Sequence, residues 1–327
     1  MSGPMCASRI ELKKIIPPEL AGARLDQVLA KLFPDYSRSQ LQNWIRGGHV
    51  KVDGIQKTKA REKVRENQFI EIEAQLEPNE RWVPQPIPLD VIYEDETLLV
   101  INKPVGLIVH PGAGVRDQTL INALLHYDPS LSVVPRAGII HRLDKDTSGL
   151  LLIARTLASH HALIKAMKAR QIVREYEAIV KGVLISGLTI EAPVGRHPIH
   201  RTRMAVVEFG RPAITHFRII KRYRAHTHIR VQLETGRTHQ IRVHMAHIHH
   251  PLAGDPVYGS HVGIPVHLSD PLQTALKTLK RQALHGATLQ FSHPVDQRPM
   301  ACHAPLPADM AHLLECLEDD YSQLARS

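Results

Sequence analysis

Residues 136–156, RAGIIHRLDKDTSGLLLIART, decide how the rest of the chain is interpreted. Two apolar segments within them, 138–140 and 150–154, have the composition of buried strands, and the segment HRLDKDTS between them carries five charged or titratable side chains. A buried carboxylate is tolerated only when it is paired or hydrogen-bonded, because an isolated buried charge is strongly unfavourable. This stretch is therefore either a structural ion-pair turn or a functional site, and Asp144 is its candidate residue.

Length and charge limit the class of protein. A chain of 327 residues is long enough for two domains, and a hydrophobic fraction of 43% excludes a disordered protein. The formal net charge of +9 favours a polyanionic partner. Aromatic residues make up only 4%, too few for a platform that stacks single-stranded bases, so RNA binding would depend on phosphates and shape.

No apolar run approaches the ~20 residues needed to span a bilayer, and the N-terminus MSGPMCASRI lacks the apolar core of a signal peptide. We therefore expect a cytoplasmic protein with no membrane partner. The three cysteines, Cys6, Cys302 and Cys316, lack paired short spacing, which predicts reduced thiols rather than disulfides or a zinc ribbon.

Residues 17–76 are predicted to form a small α+β domain, preceded by a flexible lead at residues 1–16. The predicted elements are two helices and two strands, at 24–33, 37–46, 49–52 and 69–72. Ten basic residues and four acidic ones lie between Arg24 and Arg65. On charge alone this is most often a solvated surface, and RNA contact is the alternative.

The order of residues 23–54, ARLDQVLAKLFPDYSRSQLQNWIRGGHVKVDG, resembles the S4 RNA-binding domain. That resemblance implies a module that contacts RNA phosphates. Its candidate RNA-binding residues are Arg24, Arg38 and Lys51.

Four prolines within residues 77–88 predict a linker, since no regular element tolerates that density. A second, large domain is expected at 89–327. Its predicted strands lie at 89–94, 97–102, 107–110, 174–183, 214–219 and 228–233, and its predicted helices at 120–126, 157–167 and 238–248. Strands and helices alternate without a regular β-α repeat, which indicates the α+β class.

Three other functions were weighed. His141-Arg142-Leu143-Asp144 resembles a kinase catalytic loop, but a Gly-rich phosphate loop and an Asp-Phe-Gly motif are lacking. A non-enzymatic ribosome-binding protein would leave residues 89–317 unexplained. A metal-dependent nuclease is the main alternative, because histidines cluster at 239, 244, 247, 249 and 250. The nearest acids are Glu234 and Asp255, however, and no His-Glu-x-x-His pattern occurs.

Three segments resemble the signature motifs of the RluA family of pseudouridine synthases: GIIHRLDKDTSGLLLIAR at 138–155, REYEAIVKG at 174–182, and LETGRTHQIRVHMAHIHHPLAGDPVYG at 233–259. The resemblance covers nearly all of residues 18–317. It implies an α+β catalytic domain with a mixed, largely antiparallel sheet. It also implies isomerisation of uridines to pseudouridine in large-subunit (23S) ribosomal RNA, in the helix 69 stem-loop, by base flipping and without cofactor or metal. The expected partner is that RNA or a pre-ribosomal particle, and the expected state is a monomer.

The motifs also imply roles for single residues. Asp144 is the catalytic aspartate, acting either as a nucleophile or as a base toward the ribose. Tyr176 stacks on the target base, Arg237 pairs with the aspartate, and Arg142 holds the gap left by the flipped base. A guanidinium keeps a neighbouring carboxylate ionised, and a planar ring suits an extruded base.

By position alone these side chains have plainer explanations. Tyr176 could be an ordinary strand residue, Arg237 a surface arginine at a turn, and Arg142 internally paired. Lys145 and Asp146 are expected to be structural. A basic segment near Arg196 and Arg201 is predicted to form a loop, with RNA phosphate contact as one of two equal alternatives.

Overall fold

The N-terminal unit is a four-stranded antiparallel sheet packed against two helices. The computed structural model describes residues 9–33, 36, 38–75, 82–111, 115, 117–259 and 267–324. The elements of this unit are β1 (Arg9–Ile15), α1 (Leu25–Leu32), α2 (Arg38–Arg46), β2 (Val50–Val52), β3 (Ile55–Lys57) and β4 (Phe69–Gln75). The strand order is β1-β4-β2-β3. Both predicted helices are present, and residue 37, the predicted start of the second, lies outside the described residues.

The flexible lead expected at residues 1–16 is wrong for its second half. β1 pairs with β4 along its whole length, Ile10 contributes to the domain core, and Ile16 is fully buried. The partner strand lies about sixty residues further along the chain, so this pairing is non-local and the local sequence does not reveal it. Residues 1–8 lie outside the described residues.

The C-terminal domain is built on one large sheet. Its strands are β5 (Asp90–Glu94), β6 (Leu98–Lys103), β7 (Ser148–Ala154), β8 (Val173–Lys181), β9 (Leu188–Glu191), β10 (Val194–Arg196), β11 (Met204–Val206), β12 (Ile214–Arg222), β13 (His226–Leu233), β14 (Leu284–Ser292) and β15 (Pro299–His303). Its helices are α3 (Leu120–Tyr127), α4 (Leu157–Lys168), α5 (Gln240–His247), α6 (Asp270–Thr278) and α7 (Ala308–Leu324).

Nine of these strands form the sheet, in the order β5-β6-β7-β14-β8-β13-β12-β9, with β15 paired to β14. Within the described residues, β7 and β14 are the parallel pair and every other pair is antiparallel. β10 and β11 form a separate hairpin. The expected α+β class with a mixed, largely antiparallel sheet is confirmed.

Two predicted strands are absent. Residues 107–110 contribute only an isolated bridge between Ile108 and Thr119. Residues 135–138 form a tight turn in which Arg136 and Ala137 have left-handed backbone angles, instead of leading into a strand, and Ile139 makes a single bridge to Ile153. Both segments are apolar because they are buried against the sheet, and burial alone does not distinguish a strand from a turn.

The described part of the predicted linker, residues 82–88, is attached to the C-terminal domain. Asn122 at the start of α3 donates its side-chain amide to the Val83 carbonyl at 2.7 Å and accepts a backbone bond from Gln85. Trp82 packs against the core of the domain. Because proline has no backbone N–H to donate to a neighbouring β-strand, this extended segment is held by hydrogen bonds to α3 and not by a strand. Residues 77–81 lie outside the described residues.

The centre of the sheet positions the loop that carries Asp144. All seven residues of β7 are buried. Its parallel contact with β14 requires Gly149, which has φ +119°, because a Cβ there would collide with the backbone of Gly286. The loop at 141–147 therefore emerges from the middle of the sheet, close to β8. Among the described residues, no helix is both long enough and apolar enough to cross a bilayer.

Candidate active site

A cleft of about 510 Å³ opens where the three sequence motifs meet. It is bordered by the loop at 141–147, by β8 and by residues 233–242, which lead into α5. Asp144, Tyr176 and Arg237 all line this cleft although they are separated by 93 residues of sequence. Of the charged or titratable residues at 141–146, His141, Arg142 and Asp144 therefore belong to a concave site, whereas Lys145 and Asp146 do not line it.

Asp144 lies at the floor of the cleft with 15% of its side chain exposed. Its Oδ2 accepts a hydrogen bond from Arg242 Nη1 at 3.2 Å, and His239 Nε2 lies 4.0 Å from the same oxygen. The backbone N–H of Thr147 donates to the Asp144 carbonyl, which closes the loop. No described residue donates a hydrogen bond to Oδ1, so one carboxylate oxygen is free to act on a substrate.

Arg242 can hold the Asp144 carboxylate in one position because its own guanidinium is held by Asp255 and Tyr258. Its Nε and Nη2 donate to the two oxygens of Asp255, at 2.7 and 3.0 Å, and its guanidinium lies 5.0 Å from the centre of the Tyr258 ring. Burial raises the pKa of Asp255, but the hydrogen bonds and charge of Arg242 outweigh it and hold that pKa below its usual range. Two paired bonds and a ring contact orient the third N–H toward Asp144.

The expected pairing of Arg237 with Asp144 is wrong. Arg237 Nε donates to the Pro212 carbonyl at 3.1 Å, and its backbone N–H donates to the Gln240 side chain. The guanidinium at Asp144 comes from Arg242, five residues later in the same motif. Gln240 is the first residue of α5, and its side chain joins the Thr215 hydroxyl to the backbone N–H of Arg237 in the turn before the helix, which anchors the start of α5.

Tyr176 is buried beside the cleft on β8, opposite Val231 on one side and Gly286 on the other. Burial raises the pKa of its phenol, Arg174 opposes that shift, and Asp144 adds to it. The phenol is therefore protonated at neutral pH. Its ring offers a planar surface to a base that enters the cleft.

Lys103 is a buried residue that no sequence motif predicts. Its ammonium donates to three backbone carbonyls, those of Pro104 at 2.7 Å and of Leu107 and Lys145 at 3.0 Å. Burial lowers its pKa to about 8, against the opposing charges of Asp146 and Asp144. It ties the segment after β6 to the residue that follows Asp144. The expected structural role of Lys145 lies in its carbonyl, which also accepts from Gly106.

Backbone strain is concentrated around the cleft. Arg136, Ala137 and Gly138 have consecutive positive φ values of 57°, 50° and 78°, and His239 has φ 56° at the N-cap of α5. Non-glycine residues rarely adopt this region, and each costs about 1–3 kcal/mol that the surrounding structure must offset. The first turn directs the chain into the catalytic loop, and the second brings His239 within 4.0 Å of Asp144.

Three of the five histidines considered as metal ligands have other partners, and one of these, His250, has its Nδ1 2.9 Å from the Lys181 carbonyl oxygen. His239 Nδ1 lies 2.8 Å from the Tyr258 hydroxyl. His244 is buried between the Thr215 hydroxyl and the Ala192 carbonyl, both at 2.9 Å. Across the part of the chain that the structure describes, no group of three or more His, Cys, Asp or Glu side chains is arranged to hold a metal ion.

Comparison with known proteins agrees with this geometry. Residues 97–247 match the family described as RNA pseudouridylate synthase, and residues 23–70 match the S4 domain. Ribosomal large subunit pseudouridine synthase D of Haemophilus ducreyi is 51% identical over 94% of this chain and 95% of its own length. The protein of the same name from Yersinia pestis is 50% identical over 96% and 97%.

The chain belongs to the RNA pseudouridylate synthase family. Human RNA Pseudouridylate Synthase Domain Containing 4, with 25% identity, superposes with a TM-score of 0.54 over 70% of this chain and 93% of its own. Human RNA Pseudouridylate Synthase Domain Containing 1, with 24% identity and a TM-score of 0.54 over 74% and 95%, shares the fold. This chain is thus an isomerase that makes pseudouridine, and the cleft around Asp144 is its candidate active site.

The predicted RNA contacts of the synthase lie in three places. Arg142 is exposed at the edge of the cleft, and no described residue forms a hydrogen bond or ion pair with its guanidinium. Arg196 ends β10 and Arg201 lies in the turn before β11; both are exposed on the hairpin that replaces the predicted loop.

The remaining candidates lie in the N-terminal S4 domain. Arg24 and Arg38 both donate to the buried carboxylate of Asp26, at 3.0 and 2.7 Å, and Gln42 donates to it as well. Lys51 lies on β2 with its ammonium 3.9 Å from Glu73. Burial raises the pKa of Asp26, but the bonds from Arg38, Gln42 and Arg24 lower it to about 2.

Proposed function

We propose that this synthase isomerises uridines of large-subunit (23S) ribosomal RNA, with Asp144 as the catalytic residue. The observation that carries the proposal is the carboxylate of Asp144, held on one oxygen by Arg242 and open on the other, in a cleft lined by Tyr176. The ribosomal substrate is supported by the names of relatives that are about half identical over nearly the whole chain. The helix 69 stem-loop is the proposed site, as expected from the motifs.

The geometry supports a base-flipping reaction. A uridine within a helix or loop has to leave its stack to bring its C1′ to Asp144, at a cost of a few kcal/mol. The buried ring of Tyr176 would receive the extruded base, and the unpaired guanidinium of Arg142 at the edge would occupy the gap. The free Oδ1 of Asp144 is the atom proposed to act on the ribose.

Two actions of Asp144 are open: attack on C1′, or removal of the proton on C2′. Substrate carrying deuterium at C2′ separates them. A primary isotope effect on the single-turnover rate assigns Asp144 as a base, and its absence assigns the carboxylate as a nucleophile.

The test of the function is Asp144→Asn. We expect the variant to fold and to bind RNA nearly as the wild type does, because Asn keeps the shape and loses only one half-buried charge, while pseudouridine formation falls to the background rate. Pseudouridines would be mapped in ribosomal RNA from cells that lack the protein, complemented with either form. Continued modification by the variant would refute the role of Asp144, and modification at sites outside the large subunit would refute the substrate.

A chelator control addresses the nuclease alternative. Isomerisation should persist in EDTA, whereas cleavage of RNA that stops with EDTA would support metal chemistry. The cytoplasmic location expected from the sequence follows from a ribosomal substrate in bacteria and stays a proposal.

A further inference from the structure

Arg174 is a buried cation that lacks an anionic partner in the described part of the chain. It lies two residues before Tyr176 on β8, so both side chains leave the same face of the strand and line the cleft. Its side chain is 7% exposed, its Nη2 reaches the Leu233 carbonyl only at 3.5 Å, and its Nε has no hydrogen-bond partner. No described carboxylate lies within 4 Å of it.

The two other buried arginines of the described chain are both paired. Arg242 is bonded to Asp255 and Asp144, and Arg281 to Asp309. A guanidinium removed from water without an anion is strongly unfavourable, so such a group is retained where a ligand supplies the missing partner. Gly236 adjoins it so closely that a Cβ there would lie 2.9 Å from Arg174 Nη1, so the absence of a side chain at position 236 leaves room for the guanidinium.

We propose that Arg174 binds the uracil ring and stabilises the negative charge that the ring acquires during isomerisation. This inference rests on the proposed function. When the C1′–N1 bond breaks, its electron pair leaves with uracil as an anion delocalised over N1, O2 and O4. After the ring turns, C5 forms the new bond to C1′, the C5 proton departs, and N1 gains a proton. A cation placed on an oxygen of the detached ring favours the state in which the charge is largest.

A phosphate of the RNA is the competing ligand, and its expected position differs. Phosphates stay near the surface, where Arg136 and Arg142 are exposed at the edge of the same cleft. Arg174 instead adjoins the buried ring of Tyr176, where a flipped base would be enclosed. The uracil is therefore the assigned ligand, and the phosphate is an outcome of the test.

The experiment compares Arg174→Gln and Arg174→Lys on two transcripts of large-subunit ribosomal RNA, one with uridine and one with 5-fluorouridine. Fluorine at C5 withdraws electrons and stabilises the detached ring, so it partly replaces the missing cation. C5 then carries fluorine and has no proton to lose, so after the new C5–C1′ bond forms the N1=C6 bond takes up water, with hydroxyl on C6 and the proton on N1. On this transcript conversion is therefore measured as the loss of 5-fluorouridine. Single-turnover conversion is followed by nuclease digestion and mass spectrometry, and RNA affinity by filter binding. Arg230→Gln, on the neighbouring strand β13 and exposed, is the matched control. Circular dichroism verifies folding.

We expect Arg174→Gln to slow conversion of the uridine transcript about 100-fold or more, and Arg174→Lys to slow it less. On the 5-fluorouridine transcript the loss should shrink to about tenfold, with RNA affinity within about threefold of wild type. Equal losses on both transcripts would overturn the proposal, as would weaker RNA binding with an unchanged rate, which assigns Arg174 to a phosphate. Arg174→Lys provides the same comparison if the glutamine variant fails to fold. A wild-type protein that makes no pseudouridine would overturn the proposed function, and this inference with it.

Discussion

The cleft around Asp144 and the N-terminal domain each contain a buried residue that pairs with two residues of opposite charge. That shared buried residue is an arginine in the cleft and an aspartate in the N-terminal domain. In the cleft the buried guanidinium of Arg242 bonds to two carboxylates, of which Asp144 is the partly exposed one. In the N-terminal domain a single buried carboxylate, Asp26, holds two arginines, and the guanidiniums of Arg24 and Arg38 keep 35% and 50% exposure. In each region the shared residue, Arg242 or Asp26, is buried, and residues of opposite charge that it holds, Asp144 in the cleft and the two arginines in the N-terminal domain, are partly exposed.

This difference shows what a buried ion pair contributes in this protein. Neither pair is needed for burial of apolar surface, and buried charges are often replaceable without loss of stability. We propose that each pair supplies orientation, of the Asp144 carboxylate toward the ribose in one region and of the Arg24 and Arg38 guanidiniums toward RNA phosphates in the other. Substitution of the buried residue, Arg242 or Asp26, should therefore lower the stability of the protein. Substitution of an exposed arginine, Arg24 or Arg38, should mainly change RNA binding.

The largest effect is expected from Arg242→Met. It leaves Asp255 and Asp144 without their cation, so we expect the free energy of unfolding to fall by about 3–5 kcal/mol. Pseudouridine formation should be lost because Asp144 is no longer held. Urea unfolding followed by circular dichroism measures the first effect, and single-turnover assays the second.

Arg237→Met is the matched control for stability, because it lies in the same motif and its described side-chain bond goes to a backbone carbonyl. We expect it to cost about 1 kcal/mol or less. A control variant as damaging as Arg242→Met would mean that the whole motif, and not the double ion pair, stabilises the cleft.

Lys103→Met is expected to have the next largest effect, since it removes the donor shared by three backbone carbonyls beside the Asp144 loop, of which that of Lys145 keeps a second donor in the Gly106 N–H. The pKa of Lys103 is lowered from 10.5 to about 8, so the unfolded chain binds the proton more tightly than the folded one. The Lys103 contribution to stability therefore rises as the pH increases from about 8 to 10.5, by about 3 kcal/mol in total, and falls again as the pH is lowered.

Unfolding of Lys103→Met and of the wild type should be compared across that pH window. The difference between the two free energies of unfolding should depend on pH, in favour of the wild type at the alkaline end. A difference that stays constant would show that Lys103 titrates normally and is not buried as a cation.

The motif resemblance selected Asp144 and Tyr176 as candidate site residues but did not select Arg242, which holds Asp144. The sequence predicts a helix over residues 238–248, but no local pattern within it points to Arg242. In the structure α5 is buried on nearly all sides from Gln240 to Met245. An inward arginine is tolerated because Asp255, thirteen residues later, meets it, and that contact depends on tertiary structure.

The other differences between the predicted and the observed structure also involve contacts between residues that are far apart in the sequence. Lys103 follows an apolar strand and has the composition of a strand end, and its three acceptors come from two separate loops. The pairing of β1 with β4 joins segments about sixty residues apart. Elements with local patterns, such as α3 and β13, were placed within a residue or two of their observed ends.

Asp26→Asn tests the ion pairs of the N-terminal domain, in which a buried carboxylate holds two partly exposed arginines. The pKa of Asp26 is about 2 in the folded protein and 3.8 for a free aspartate, so its contribution to stability is complete above pH 3.8 and is lost as the pH falls toward 2. We expect the variant to lose about 1–3 kcal/mol near neutral pH. The difference from wild type should narrow across that acidic window. Fluorescence of Trp44, in the core of this domain, reports the unfolding when Trp82 is replaced by phenylalanine.

The smallest effects are expected in RNA binding by the exposed arginines. Arg24→Gln and Arg38→Gln should each reduce the slope of log affinity against log salt concentration by about 0.7–0.9, as one phosphate contact is lost. Arg230→Gln, on the other domain, should leave that slope unchanged. Equal slopes for all three variants would remove the N-terminal arginines from the RNA interface.

Asp26→Asn then separates charge from orientation in the same binding assay. It makes the domain more positive by one unit, so a purely electrostatic attraction would strengthen RNA binding. If Asp26 fixes the two guanidiniums in the geometry that phosphates require, its loss frees both side chains and should weaken binding about two- to fivefold, because their rotamers must be ordered again. The direction of this change is the informative result. Tighter binding by Asp26→Asn would mean that the buried carboxylate stabilises the fold without organising the RNA surface.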